Sequence, residues 1–145
     1  MMKILQGASY NTDGVGIGLF FSEKLGRAMV PPFQALAFSY DDKIKAAFLF
    51  NDYTIGNIEI HIWAPGAISR LKWRYILNYV FNQLKCSRLT AKFEPTNDTL
   101  KKILPRLGFE YEATLKHYYG PRDEQSALVY RVDRNQAAKW IKLNG

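Results

Sequence analysis

The stretch Ile58–Trp63, IEIHIW, places an acid and an imidazole two residues apart among isoleucines. In a strand successive side chains point to opposite faces, so Ile58, Ile60 and Ile62 share one face and Glu59, His61 and Trp63 the other. A carboxylate and an imidazole on one face can take up and pass on a proton. Histidine titrates near neutrality unaided, and glutamate does so where burial raises its pKa. The competing reading is a half-exposed antiparallel strand whose outer face is merely solvated. Tyr118 and Tyr119 are the remaining acid candidates, with packing at a strand end as their alternative. His117 beside them reads equally well as a surface residue. Cys86, in QLKCSRL, has no histidine close in sequence and reads as buried filler rather than a nucleophile. Two histidines and one cysteine make no zinc set, so no metal is expected.

The elements that must position these groups belong to one expected domain, residues 1–145, long enough for a sizeable core. Hydrophobic content of 48% and aromatic content of 14% fit a globular protein. No apolar run reaches the roughly 18 residues of a membrane span, and MMKILQGASY lacks the apolar region and cleavage site of a signal peptide. A lone cysteine excludes an internal disulfide framework. The expected location is the cytoplasm, away from membranes. A formal net charge of +7 and a pI near 9.5 point to an anionic partner: nucleic acid, a phosphorylated cofactor or an acidic protein. The basic residues are dispersed along the chain, so the charge belongs to a folded surface.

Gly14, Gly16 and Gly18 precede the apolar run LFFSEKLGRAM, which reads as a helix within Thr12–Met29 although glycines oppose it. A phosphate-binding loop is disfavoured there, because no strand clearly precedes and no Walker lysine follows. After Pro31-Pro32, QALAFSY, the turn DDK and IKAAFLF read as a hairpin. The IEIHIW strand follows and stops at Pro65-Gly66. Ser69 is a candidate N-cap for a helix to Leu84, with Leu71, Tyr75, Leu77, Val80, Phe81 and Leu84 spaced to line one face. RLTAKFEP is a strand, and Asn97 or Asp98 caps the helix DTLKKILPRL, whose last turn Pro105 should kink or tighten and Gly108 ends. FEYEATLKHYY reads as a long strand, SALVYRVD as another, and Asn135–Lys142 as a closing helix anchored by Trp140. The sum is an α/β (α+β) fold with one mixed sheet and helices on its faces.

IEIHIWAPG leading into SRLKWRYILNYVFNQL, then LTAKFEP with Asn97, then LGFEYEATLKHYYG, resembles the GNAT superfamily of acetyl-CoA-dependent N-acetyltransferases. The ribosomal-protein-type and phage-encoded members are the most similar. The resemblance covers roughly Gln34 to Val132 in element order, with sharp motifs only between Glu59 and Tyr119. It implies a mostly antiparallel sheet with splayed strands, whose freed backbone at Ile62 and Trp63 bonds the pantetheine arm of acetyl-CoA. It also implies that the helix after the strand offers its N-terminal N–H groups to the pyrophosphate. The family's small residues at that turn are replaced: Ala67-Ile68-Ser69-Arg70-Leu71-Lys72 aligns with the loop, and Arg70 and Lys72 fill the small positions. Ser69, Arg70, Leu71 and Lys72 are thereby the phosphate candidates, with Asn97 as the cofactor-arm asparagine. Leu104 stands where many members carry a catalytic tyrosine seven residues after that asparagine.

The resemblance places the base on the opening strand, so Glu59 or His61 relays the acceptor's proton while the other orients it or a water, and Tyr118 is the acid candidate. The expected activity is acetyl transfer from acetyl-CoA to a primary amine by direct attack in a ternary complex. The acceptor is a protein or an amine-bearing nucleic acid, and a homodimer is allowed by the exposed strand edges. The alternatives are a GNAT-fold binding or virion-type structural protein that has lost the reaction, and a basic nucleic-acid-binding module. Arg70 and Lys72 favour the first of these. Glu59 and His61, which a non-enzyme has no need to keep, favour catalysis.

Overall fold

The structure, a computed structural model, describes residues 1–66 and 68–144. Ala67, the first position of the loop alignment, lies outside the described residues. Among the described residues, seven strands form one mostly antiparallel sheet: β1 (Met2–Ala8), β2 (Gln34–Tyr40), β3 (Lys43–Asn51), β4 (Asn57–Trp63), β5 (Arg88–Phe93), β6 (Glu110–Leu115) and β7 (Ala127–Asp133). Their order is β1-β2-β3-β4-β5-β7-β6. The α-helices among the described residues are α1 (Thr12–Leu25), α2 (Arg70–Leu77), α3 (Asp98–Arg106) and α4 (Arg134–Ala137). The chain groups into two compact units, and β4 is shared between them: residues 1–52 and 60–67 form one, 53–59 and 68–145 the other.

In the first unit, QALAFSY and KIKAAFLFN are apolar on both strand faces, so both faces must be covered. Ala35–Ser39 of β2 and Ala46–Phe50 of β3 are accordingly buried. Asp41 and Asp42 join them at φ 51° and 64°, the doubly left-handed turn that suits the twist of a tight hairpin. Ile17 and Phe21 of α1 pack with Phe33, Ala35, Ala37, Ala47 and Leu49. Two of the three glycines of α1, Gly14 and Gly18, serve close packing. A Cβ on Gly14 would stand 1.8 Å from the Ala8 carbonyl oxygen, and one on Gly18 2.6 Å from the Phe33 ring. Only glycine lets this helix approach so closely.

The sequence suggests no strand ahead of α1. Met2–Ala8 nevertheless pairs antiparallel with β2 along its length, from Met2 opposite Tyr40 to Ala8 opposite Gln34. As an edge strand it is hydrogen-bonded on one side and only partly covered, so MKILQGA carries no clean alternation to betray it.

In the second unit, β7 pairs antiparallel with both β5 and β6. Ser69 caps α2, its hydroxyl accepting from the Lys72 amide at 3.2 Å, as its place before the helical run predicts. The buried face differs from the predicted one. Leu71 and Tyr75 are exposed, and Trp73, Ile76, Leu77, Val80 and Phe81 are buried. The α-helix also ends at Leu77. Residues 78–83 widen into a π turn, closed by the Leu84 amide on the Tyr79 carbonyl at 2.9 Å, which lets Val80 and Phe81 both face inward.

Asn97 caps α3, accepting from the Leu100 amide at 3.1 Å. Pro105 tightens the last turn: the Leu107 amide reaches the Leu104 carbonyl at 3.0 Å, a three-residue spacing. Gly108, at φ 94°, turns the chain into β6. That strand ends at Leu115, short of the predicted HYY extension, and residues 116–122 form turns instead. The closing helix is brief, Arg134–Ala137, because Asp133 and Gln136 form a capping box only one turn before the chain leaves helical geometry.

Candidate active site

On β4 the isoleucines behave as their spacing requires: Ile58, Ile60 and Ile62 are 3%, 1% and 5% exposed. Their polar neighbours are not simply solvated. Glu59 is 8% exposed and His61 and Trp63 are half-buried. A charged carboxylate taken out of water needs a partner. Lys92 supplies it, its Nζ forming an ion pair with Glu59 Oε1. Lys92 sits on β5 between buried Ala91 and Phe93, and its ammonium lies over the Tyr118 ring, 5.2 Å from its centre. Burial alone would pull the Lys92 pKa down. The Glu59 ion pair and the Tyr118 contact outweigh it, so the ammonium is held above the ordinary lysine range. Two predicted site residues, Glu59 and Tyr118, are thus joined through a lysine that the sequence reading passed over. The available signal was parity: Arg88, Thr90 and Lys92 are the polar positions of an otherwise buried strand.

His61 belongs to the other unit and has a different environment. Its Nε2 lies 3.1 Å from Asn51 Oδ1 at the end of β3. With an amide oxygen as partner, Nε2 donates, and the neutral ring then carries its lone pair on Nδ1. Trp63, two residues on, meets Phe20 of α1 edge-to-face at 4.9 Å, with Lys24 Nζ 5.4 Å from both rings.

The predicted phosphate loop is open. Gly66 has space around it, and Ser69, Arg70 and Leu71 are exposed in the lead-in and first turn of α2. The Arg70 guanidinium stacks 5.4 Å above the Trp140 ring, so its bulk is directed along the protein surface rather than across the helix end. An uncovered helix N-terminus with two basic side chains fits a pyrophosphate in charge and access. The cofactor-arm candidates are placed less favourably. The Asn97 side-chain oxygen is committed to its cap, and Leu104 is fully buried with no surface to offer.

Away from this strand, His117 hydrogen-bonds Asp123 at 2.9 Å on the surface. Cys86 is fully buried, and burial pushes its thiol up, as an unreactive packing residue requires. Among the described residues, no three His, Cys, Asp or Glu side chains cluster to hold a metal, and no helix is long and apolar enough to cross a membrane.

No protein-family model matches the sequence, and no curated protein matches it. Solved structures do match. A chimera of spermidine N-acetyltransferase SpeG from Vibrio cholerae and hSSAT superposes over 93% of this chain and 98% of its own, with TM-score 0.69 and 14% identity. Campylobacter jejuni N-acetyltransferase PseH, in complex with acetyl coenzyme A, superposes over 92% and 99%, with TM-score 0.58 and 16% identity. The fold is the GNAT fold. Ribosomal-protein-S5-alanine acetyltransferase from Vibrio fischeri shares it over 85% of this chain and 69% of that one, with TM-score 0.59 and 17% identity. Other GNAT-fold chains are longer, and this protein spans 61% of one acetyltransferase with TM-score 0.65. Spermidine and the alanine of ribosomal protein S5 are different acceptors, so the likeness carries the fold alone.

Proposed function

We propose that this protein is an acetyl-CoA-dependent N-acetyltransferase that acts on a primary amine of a protein or nucleic acid. The observation that carries the reading is the near full-length likeness to PseH in its acetyl-CoA complex, together with a β4 strand bearing Glu59 and His61. Acetyl-CoA supplies the activated acyl group. Ser69, Arg70, Leu71 and Lys72 would hold its phosphates through helix N–H groups and basic side chains, and the backbone of Ile62 and Trp63 would receive its arm. His61 and Glu59 supply the proton-handling groups, because an amine must be neutral to attack a thioester. The new N–C bond forms as the C–S bond breaks. The amine's proton passes to a β4 side chain, and the departing thiolate takes one from Tyr118.

One specific feature supports a second reading, a GNAT-fold protein that binds without turnover. Arg70 and Lys72 occupy the loop's small positions, and the Asn97 oxygen caps its own helix. Mass spectrometry separates the two. Incubated with acetyl-CoA and a panel of amines (an alanine-initiated peptide, a lysine-rich peptide, spermidine and amine-bearing DNA), the enzyme adds one acetyl group to at least one acceptor. No acetylated product from any of them supports the binding protein.

A further inference from the structure

We propose that Lys92 is the positioning residue of this site: joined to Glu59 on β4 and to Tyr118 beyond β6, its ammonium fixes both side chains, making Glu59 an anchored anion and leaving His61 to take the acceptor's proton. This rests on the acetyltransferase reading and assigns roles within it. The geometry that points to it lies within one unit. The Lys92 and Glu59 side chains are 19% and 11% exposed and form an ion pair. The strand that carries Lys92, β5, is registered against β7, with Lys92 opposite Val129.

A carboxylate in a largely desolvated ion pair must give up its cation before accepting a proton, and separating such a pair is costly. Glu59 is therefore a poor base while Lys92 is in place. His61 faces an amide oxygen instead, which fixes one ring nitrogen as donor and assigns the lone pair to the other. The same ammonium contacts Tyr118, which otherwise stands on an exposed turn, half open to solvent. Lys92 thus ties the candidate acid to the sheet. In the reaction His61 Nδ1 receives the amine proton, Tyr118 donates to the leaving thiolate, and solvent restores both. Lys92 and Glu59 change neither bond nor charge.

Two measurements test the assignment, one of them without turnover. In a ¹³Cε NMR titration of wild-type protein, Lys92 is expected to lose its proton above the ordinary lysine range. In Glu59→Gln the midpoint is expected to fall, because burial, the largest single influence, then loses its main opponent. Identical Lys92 titrations in the two proteins would overturn the clamp. In thiol-release assays with whichever probe amine is acetylated, Lys92→Met is expected to lower kcat at least tenfold with KM for acetyl-CoA little changed, and Lys92→Arg to recover most of the loss. Wild-type kcat in Lys92→Met would overturn the proposal. Because Lys92→Met leaves a lone buried charge, the double variant Glu59→Gln/Lys92→Met serves as a fold control. It is expected to fold like wild type and stay at the low turnover, and recovered turnover in it would count against the anchored anion. If wild-type protein acetylates none of the probes, the acetyltransferase reading fails, and the NMR titration still decides whether Lys92 is clamped.

Discussion

Replacing His61 by alanine is expected to lower kcat/KM for acetyl transfer by about two to four orders of magnitude, the usual contribution of a positioned general base. The expectation follows from its place on β4 and from the Asn51 oxygen, which sets the ring's orientation. Asn51→Ala leaves the imidazole present but unoriented, so a smaller loss of about tenfold is expected, by analogy with other groups that hold a histidine in place. Steady-state kinetics measure both. Unchanged turnover in His61→Ala and in Glu59→Gln alike would remove β4 from the chemistry altogether.

The second large effect concerns the fold that holds this strand's neighbours. Trp73→Ala is expected to destabilise the protein by about 3–5 kcal/mol, the range for truncating a buried aromatic. Trp73 is fully buried in α2, its indole N–H donates to the Leu107 carbonyl at 3.1 Å, and its ring packs against Phe109 at 5.6 Å. The substitution therefore opens a large cavity and orphans a buried carbonyl together. Against a typical net stability of about 5–15 kcal/mol, that is a substantial fraction. Urea denaturation should show a lower midpoint, and Trp73→Phe should recover part of the packing but not the hydrogen bond. A loss under about 1 kcal/mol for Trp73→Ala would mean that α2 is not held through this residue.

The contrast between Trp73 and its neighbours shows which features the sequence discloses. Periodicity located α2, and Ser69 announced its start, but the choice of buried face went astray. Leu77, Val80 and Phe81 were placed on the right face, and helical spacing back from them reaches Ile76 and Trp73, which are buried. Leu71 and Tyr75, also assigned to that stripe, lie off it and are exposed. Strand parity read the isoleucines of β4 correctly, because a two-residue period is insensitive to neighbours. The same parity could not say whether Glu59 was wet or buried, since that depends on Lys92, far away in sequence and brought near only by the sheet. Gly14 and Gly18 were ambiguous for a related reason. A glycine needed for close approach looks identical in sequence to one that cradles a phosphate, and only the Ala8 carbonyl and the Phe33 ring tell them apart. Tyr118, expected on a long strand, lies beyond one that in fact ends at Leu115.

The central claim is that the open N-terminus of α2 and the strand before it receive acetyl-CoA. It is tested most directly by titrating acetyl-CoA and desulfo-CoA into the protein by calorimetry, with Arg70→Ala beside the wild type. Binding in the micromolar range, weakened about tenfold or more by Arg70→Ala, is the expected result, a loss of about 1.4 kcal/mol. Heats indistinguishable from dilution at millimolar ligand would contradict it, and the GNAT fold here would then serve some other partner.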